Sequence, residues 1–153
     1  MRVLIQRVAT AWVEWEGMAT EQAGPGLLCL VGFNRQDVVG VLEHMADKLI
    51  HLRIFADEHG RMNRSLVETG GGLVLVPQFT LYADCRKGRR PGFSGALEPA
   101  AAREMFEAFV QICREHLSGV IAGRFGAHMQ VHLVNDGPVT ILLDSNELRL
   151  AKA

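Results

Sequence analysis

The chain has 153 residues, a net charge of −1, 48% hydrophobic and 22% charged residues. That length suits one domain spanning 1–153 with a sizeable core, and the near-zero charge excludes a global basic field, so any nucleic-acid contact must be local. No run approaches the roughly 20 apolar residues of a membrane span, and the apolar run in Met1–Arg7 is too short for a signal peptide, so a cytoplasmic protein without a membrane partner is expected.

Residues 2–8 read as a strand. Ala9, Ala11, Val13 and Trp15 then alternate with Thr10, Trp12, Glu14 and Glu16, the pattern of a half-exposed strand. Gly17 and Gly24-Pro25-Gly26 signal turns. Leu27 to Val31 is a buried run closed by Gly32. Asp37 is placed to cap a helix carrying Val38, Val41, Leu42, Met45, Leu49 and Leu52 at helical spacing. Arg53-Ile54-Phe55 suits a short strand, the polar residues 57–60 turn the chain, and 61–65 continue it. Gly70-Gly71-Gly72 reads as a flexible connector into a buried strand, Leu73 to Val76.

Pro99 sits where the first turn of a helix tolerates proline. Ala102, Met105, Phe106, Phe109, Ile112, Cys113 and Leu117 then form one apolar stripe, which Gly119 ends. Residues 120–122 suit a short strand and 123–126 a turn. His128, Gln130 and His132 share the wet face of a further strand, too far apart for one metal if the strand is extended. The tally is α+β: a mostly antiparallel, barrel-like β core with two packed helices.

Cys29, Cys85 and Cys113 are odd in number and contain no C-x-x-C pair, which argues against a disulfide framework or a zinc site. Cys29 and Cys113 fall on core-facing positions. Cys85 precedes a run of cations that can lower a thiol pKa, but the sequence places no histidine to act as its base.

Two stretches carry chemistry. In the first, Pro77 cuts the buried strand, Gln78 and Thr80 put polar groups at its end, and Arg86, Lys87, Arg89 and Arg90 follow. A core strand, polar groups at its tip and a cationic loop make a site for an anionic ligand. The same residues also suit an ordinary strand end and a solvated loop. In the second, Asn135-Asp136-Gly137-Pro138-Val139-Thr140 joins two strands. It reads as an ordinary turn or, because Gly–Pro bonds tolerate the cis form, as a rigid backbone edge able to reject a side chain by contact.

Together these stretches resemble the D-aminoacyl-tRNA deacylase (D-tyrosyl-tRNA deacylase) family, and the resemblance spans essentially the whole chain. It runs from Met1-Arg2-Val3-Leu4-Ile5-Gln6-Arg7-Val8 through Gly24 to Leu28, Leu52 to Phe55 and Met62 to Leu66. It is strongest at Gln78-Phe79-Thr80-Leu81-Tyr82-Ala83-Asp84, Lys87-Gly88-Arg89-Arg90-Pro91 and Asn135 to Thr140. The resemblance implies a homodimer with active sites at the subunit interface, no cofactor and no metal, acting on aminoacylated tRNA. It implies that Gln78, Phe79 and Thr80 form the catalytic pocket. Gly137 and Pro138 match a cis pair whose backbone excludes L-amino acid side chains from the partner's site, and Arg7 matches the arginine supporting that loop. Pro77 departs from the family's serine. A subgroup with relaxed chirality shares that proline but differs in its second motif, which this chain keeps in the strict form.

The implied reaction is hydrolysis of the ester between a D-amino acid, or glycine, and the tRNA 3′ end. Backbone N–H groups after Pro77 are candidates for an oxyanion site. Thr80 is either a nucleophile without an evident base or, as the resemblance implies, a positioning group while the substrate's 2′-hydroxyl helps a water attack. Arg86, Lys87, Arg89 and Arg90 are assigned to tRNA phosphates. The rivals are a chirally relaxed deacylase, a non-catalytic RNA-end binding module and a Cys85-dependent esterase.

Overall fold

The computed structural model describes residues 1–148. Its organising element is β1 (Arg2–Trp15), 14 residues long. One edge of β1 pairs antiparallel with β3 (Gly26–Gly32) and, through a tight turn at Gly17, with β2 (Met18–Ala19). Another long strand, β8 (Gln130–Asp144), runs antiparallel along β1 from Arg2 to Glu14. On the far side of β3 the pairing turns parallel, first to β6 (Gly72–Pro77) and then to β7 (Val120–Ala122). The order β2-β1-β3-β6-β7, with β8 on β1, is the expected barrel-like α+β sheet.

The parallel pairs have a simple origin. Two strands can lie parallel only if a long crossover returns the chain to the same end. The first crossover carries α1 (Gly40–Ile50), the hairpin β4 (Phe55–Ala56) and β5 (Met62–Arg64), and the short α2 (Leu66–Thr69). The second carries α3 (Pro99–His116), with Pro99 in its first turn as expected. Leu42, Met45 and Leu49 of α1 and Met105, Phe106, Phe109 and Cys113 of α3 cover one face of the sheet, against Val3, Ile5, Leu27, Cys29, Leu73 and Leu75. Val8, Ala11, Val13, Leu28, Val74 and Val76 form a second cluster on the opposite face. Leu73 to Val76 are buried without exception, as a strand covered on both faces requires.

Several local expectations are corrected. Ala9 is exposed although the alternation put it inside. β1 gains one residue on β8 between Val8 and Thr10, and this bulge resets the pleat, so that Ala11 and Val13 share the face of Val8. Asp37 does not cap α1, whose N-cap is Val39 with no side-chain bond; its carboxylate instead takes the Asn34 N–H at 2.7 Å and the Met1 amino group. Val38 is 68% exposed rather than part of the apolar stripe. α3 ends at His116, before Gly119. The three glycines are not a flexible connector. Gly70 is the left-handed cap of α2, and a Cβ on Gly71 would lie 2.8 Å from Pro25 O. Gly26 and Gly72 let β3 and β6 touch: a Cβ on Gly26 would sit 2.0 Å from Gly72 O.

Cys29 and Cys113 are buried and Cys85 is exposed. Burial pushes the Cys29 thiol well up and the Cys113 thiol up to about 12. No helix among the described residues is long and apolar enough to cross a membrane.

Candidate active site

β6 ends at Pro77, opposite Val31 of β3. The Gln78 N–H then donates to Val31 O at 2.7 Å, so this backbone donor is already used. The chain tightens into a 3-10 turn, Phe79–Tyr82. For the N–H groups of Phe79 and Thr80 no acceptor is found among the described residues. They remain as the donors that an oxyanion could use, one fewer than the sequence offered.

The Gln78 side-chain amide is hydrogen-bonded to Thr80 Oγ1. Whichever way that amide is turned, it is no base. No other side chain among the described residues bonds to Thr80, so none of them is arranged to make this hydroxyl a nucleophile.

Beside the turn lies an apolar cleft of about 590 Å³. Pro77, Gln78, Phe79, Phe93, Phe125 and Met129 contribute to its walls. Phe79 is 55% exposed and meets Phe93 edge-on at 5.1 Å between ring centres. Two aromatic rings at the mouth of an apolar cleft offer flat contact area to a flat or apolar group. Arg35 and Glu98, ion-paired at 2.9 Å, also line it.

The sequence reading missed what holds the turn. Arg2 Nη1 donates to Leu81 O at 2.9 Å, its Nε to Asp144 at 2.8 Å, and its guanidinium lies 4.7 Å from the Tyr82 ring centre. Asn34 donates to the Tyr82 hydroxyl at 3.2 Å. Burial pushes the Asp144 carboxyl up, but the bonds from Arg2 and the Asn146 N–H more than offset it and leave it below the usual range. Burial also pushes the Tyr82 hydroxyl up to about 12. The available signal was one cation, Arg2, at the head of an apolar strand.

The cationic loop stands next to this turn. Asp84 and Gly92 pair through two backbone bonds of 2.7 and 2.9 Å and close the loop between them. Arg86 is held by Asp84 through bonds of 2.8 and 2.7 Å, and these bonds pull the Asp84 carboxyl well below the carboxylate range. Lys87, Arg89 and Arg90 are exposed, with no ion pair among the described residues. Three of the four cations therefore carry no ion pair, and Arg86, though paired, keeps its side chain 87% exposed. Cys85 is exposed and is not among the residues lining the cleft.

Asn135 to Thr140 is not a turn between two strands, as the residues had suggested. It is an outward bulge within β8, because β8 runs from Thr140 to Asn135 while β1 advances only from Gln6 to Val8. Asp136, Gly137 and Pro138 stand exposed, and the Gly137–Pro138 bond is cis. Arg7 donates to Asp136 O at 3.0 Å and to Ile54 O at 2.5 Å, and pairs with the Asp136 carboxylate at 3.2 Å. Asn135 Nδ2 donates to Arg7 O at 2.9 Å and Gln6 Oε1 at 3.0 Å. A Cβ on Gly137 would lie 2.3 Å from Asn135 Oδ1, so a larger residue there would have to displace the Asn135 side chain.

The two motifs do not meet within one chain. The turn at Gln78 abuts Gly32, which pairs with Arg2, whereas the bulge leaves β1 between Gln6 and Val8. At about 3.3 Å per residue the two lie roughly 13–20 Å apart along the strand, and on opposite sides of β1. Among the described residues no three His, Cys, Asp or Glu side chains gather to hold a metal; His132 instead stacks on Trp12 at 4.5 Å.

A family model for D-Tyr-tRNA(Tyr) deacylase matches residues 4–144. The D-aminoacyl-tRNA deacylase of Stenotrophomonas maltophilia (strain R551-3) is 58% identical over 144 residues, covering 94% of this chain and 99% of that protein. The protein of the same name from Thermosipho africanus (strain TCF52B) is 51% identical over 148 residues, covering 97% and 99%. Among solved structures, the c-Myc DNA Unwinding Element Binding Protein superposes with a TM-score of 0.89 at 36% identity, over 94% of this chain and 98% of the other. A probable eukaryotic D-amino acid tRNA deacylase has the same fold, at a TM-score of 0.82 and 20% identity, over 93% and 97%. These likenesses place the chain among the aminoacyl-tRNA deacylases. It belongs to the D-Tyr-tRNA(Tyr) deacylase family.

Proposed function

We propose that this protein is a cytoplasmic trans-editing hydrolase that cleaves the ester of D-aminoacyl-tRNA, and of glycyl-tRNA, and spares L-aminoacyl esters. One observation carries the reading: the Phe79–Tyr82 turn, with the free N–H groups of Phe79 and Thr80, sits beside an aromatic-walled cleft and the Lys87, Arg89 and Arg90 loop. The cleft suits the terminal nucleoside, the cations suit phosphates, and the N–H pair suits the oxyanion of the tetrahedral intermediate.

Chemistry at this site is positioning. Thr80, bonded to the Gln78 amide, holds the substrate and does not attack; the substrate's own 2′-hydroxyl helps a water reach the ester carbonyl. An ester already activated by its neighbouring hydroxyl needs little more.

Chiral rejection is assigned to Gly137 and Pro138, supported by Arg7. Their distance from Gln78 in one chain supports a pairing of two copies, the edge of one reaching the turn of the other. β8 supports that assembly: it pairs only with β1 among the described residues, and it exposes Val134 by 55% and Leu142 by 52%. An open strand edge with exposed apolar side chains is a surface that proteins cover.

The test is deacylation of matched D- and L-tyrosyl-tRNA by the purified protein in the presence of chelator. Loss of the D-ester alone is expected. Loss of both would show that the Pro77 form has relaxed the filter, and loss of neither would overturn the deacylase reading in favour of an RNA-end binding module. Cys85→Ala is expected to retain turnover; its abolition would favour the thiol esterase.

A further inference from the structure

Gln6 stands outside both functional motifs, yet its side chain is placed at the neck of the Asn135–Thr140 bulge. Its Oε1 accepts from Asn135 Nδ2 at 3.0 Å on one side of the neck and from Thr140 Oγ1 on the other. Asn135 and Thr140 are the β8 residues at which the regular ladder with β1 is lost and regained. One carbonyl oxygen therefore ties together the two ends of the protruding segment. Asn135 adds bonds to Arg7 O at 2.9 Å and Val139 O at 3.3 Å, so the amide held by Gln6 also fixes the strand on both sides of the edge.

We propose that Gln6 is a specificity-determining positioning residue, which sets how far and at what angle the Gly137–Pro138 edge projects. This rests on the reading of that edge as the chiral filter. The division of labour follows from the contacts. Arg7 grips the outer limb of the bulge at Asp136 and anchors it to Ile54. Gln6 closes the neck, which the backbone ladder cannot do, because the register there has slipped. A steric filter discriminates through small displacements: an edge free to move by an ångström admits the side chain it should reject. Gln6 touches neither the cleft nor the Phe79–Tyr82 turn, so its effect is on selection rather than on the reacting atoms.

The experiment compares Gln6→Met, Gln6→Glu and Gly137→Ala with the parent protein, measuring single-turnover rates on D- and L-tyrosyl-tRNA and thermal melting. Gln6→Met keeps the length of the side chain and removes the acceptor. Its D-to-L rate ratio is expected to fall about tenfold, through a faster L-reaction in a protein that still melts cooperatively, as suits the loss of two hydrogen bonds. Gln6→Glu restores an acceptor oxygen at the same reach and is expected to recover most of the ratio. A ratio unchanged in Gln6→Met but collapsed in Gly137→Ala would overturn the role of Gln6 and leave the filter intact. A ratio unchanged in Gly137→Ala would instead overturn the filter reading itself. The backbone amide shift of Gly137 is an independent readout, and an unmoved shift in Gln6→Met would overturn the proposal.

Discussion

At the scale of residues, one side chain reports on the Phe79–Tyr82 turn by itself. Tyr82 is the only tyrosine in the chain, and burial pushes its hydroxyl up to about 12. A group whose folded pKa lies above its unfolded value near 10 stabilises the fold fully below that value and loses the contribution as pH rises through the folded one. Tyrosinate absorbance is therefore expected to appear near pH 12 rather than 10, with stability falling across that window. A midpoint at 10 would show that Tyr82 is not packed as described. Arg2 is expected to matter through the same turn. Arg2→Met removes the bonds to Leu81 O and Asp144 and leaves the Asp144 carboxylate without its partner. Turnover should drop by about tenfold or more, whereas equal activity would separate the turn from catalysis.

At the scale of elements, legibility divides by the kind of force involved. The strands and both long helices were readable, because burial imposes a period on the sequence: Leu73 to Val76 and the stripe from Ala102 to Cys113 fell where the apolar spacing put them. The larger misreadings concern backbone geometry that no side-chain pattern encodes. The β1 bulge that turns Ala9 outward and the bulge that replaces the expected turn at 135–140 are slips of register between strands far apart in sequence. Gly72 was misread as slack for the same reason, since its partner is another strand. Gly26→Ala forces a Cβ against Gly72 O and is expected to cost about 1–3 kcal/mol or more, measurable by denaturant unfolding. In the site, the motif residues were legible as polar groups after a buried strand. Arg2, Asn34 and Asp144, which brace them, were not, because they converge only in the fold. For the loop closed by Asp84 and Gly92, replacing Lys87 and Arg89 by alanine should lower tRNA affinity and reduce the slope of log affinity against log salt by roughly 1.5. An unchanged slope would remove the loop from the RNA interface.

At the scale of the whole molecule, the long β1–β8 ribbon sets the geometry. It carries the Gly137–Pro138 bulge near its middle, while the turn lies beyond β3 at the Arg2 end. On the proposed reading, in which one substrate meets both, two copies bring them together. Sedimentation should then show a particle of about twice the 16.8 kDa chain mass, with D-selective activity per chain falling on dilution as the copies part. A monomer of full activity and selectivity would refute the shared site. The alternative, a large internal rearrangement, would have to break a buried core on both faces of β6.

The distribution of thiols gives the molecule a practical handle. Cys29 and Cys113 are sealed in the core with their thiols held protonated, while Cys85 lies in the open next to the cationic loop. Maleimide chemistry on the folded protein will therefore find one address. A dye attached there would sit where an incoming polyanion is expected to arrive, so the unmodified sequence already contains the attachment point for a fluorescent sensor of its own substrate.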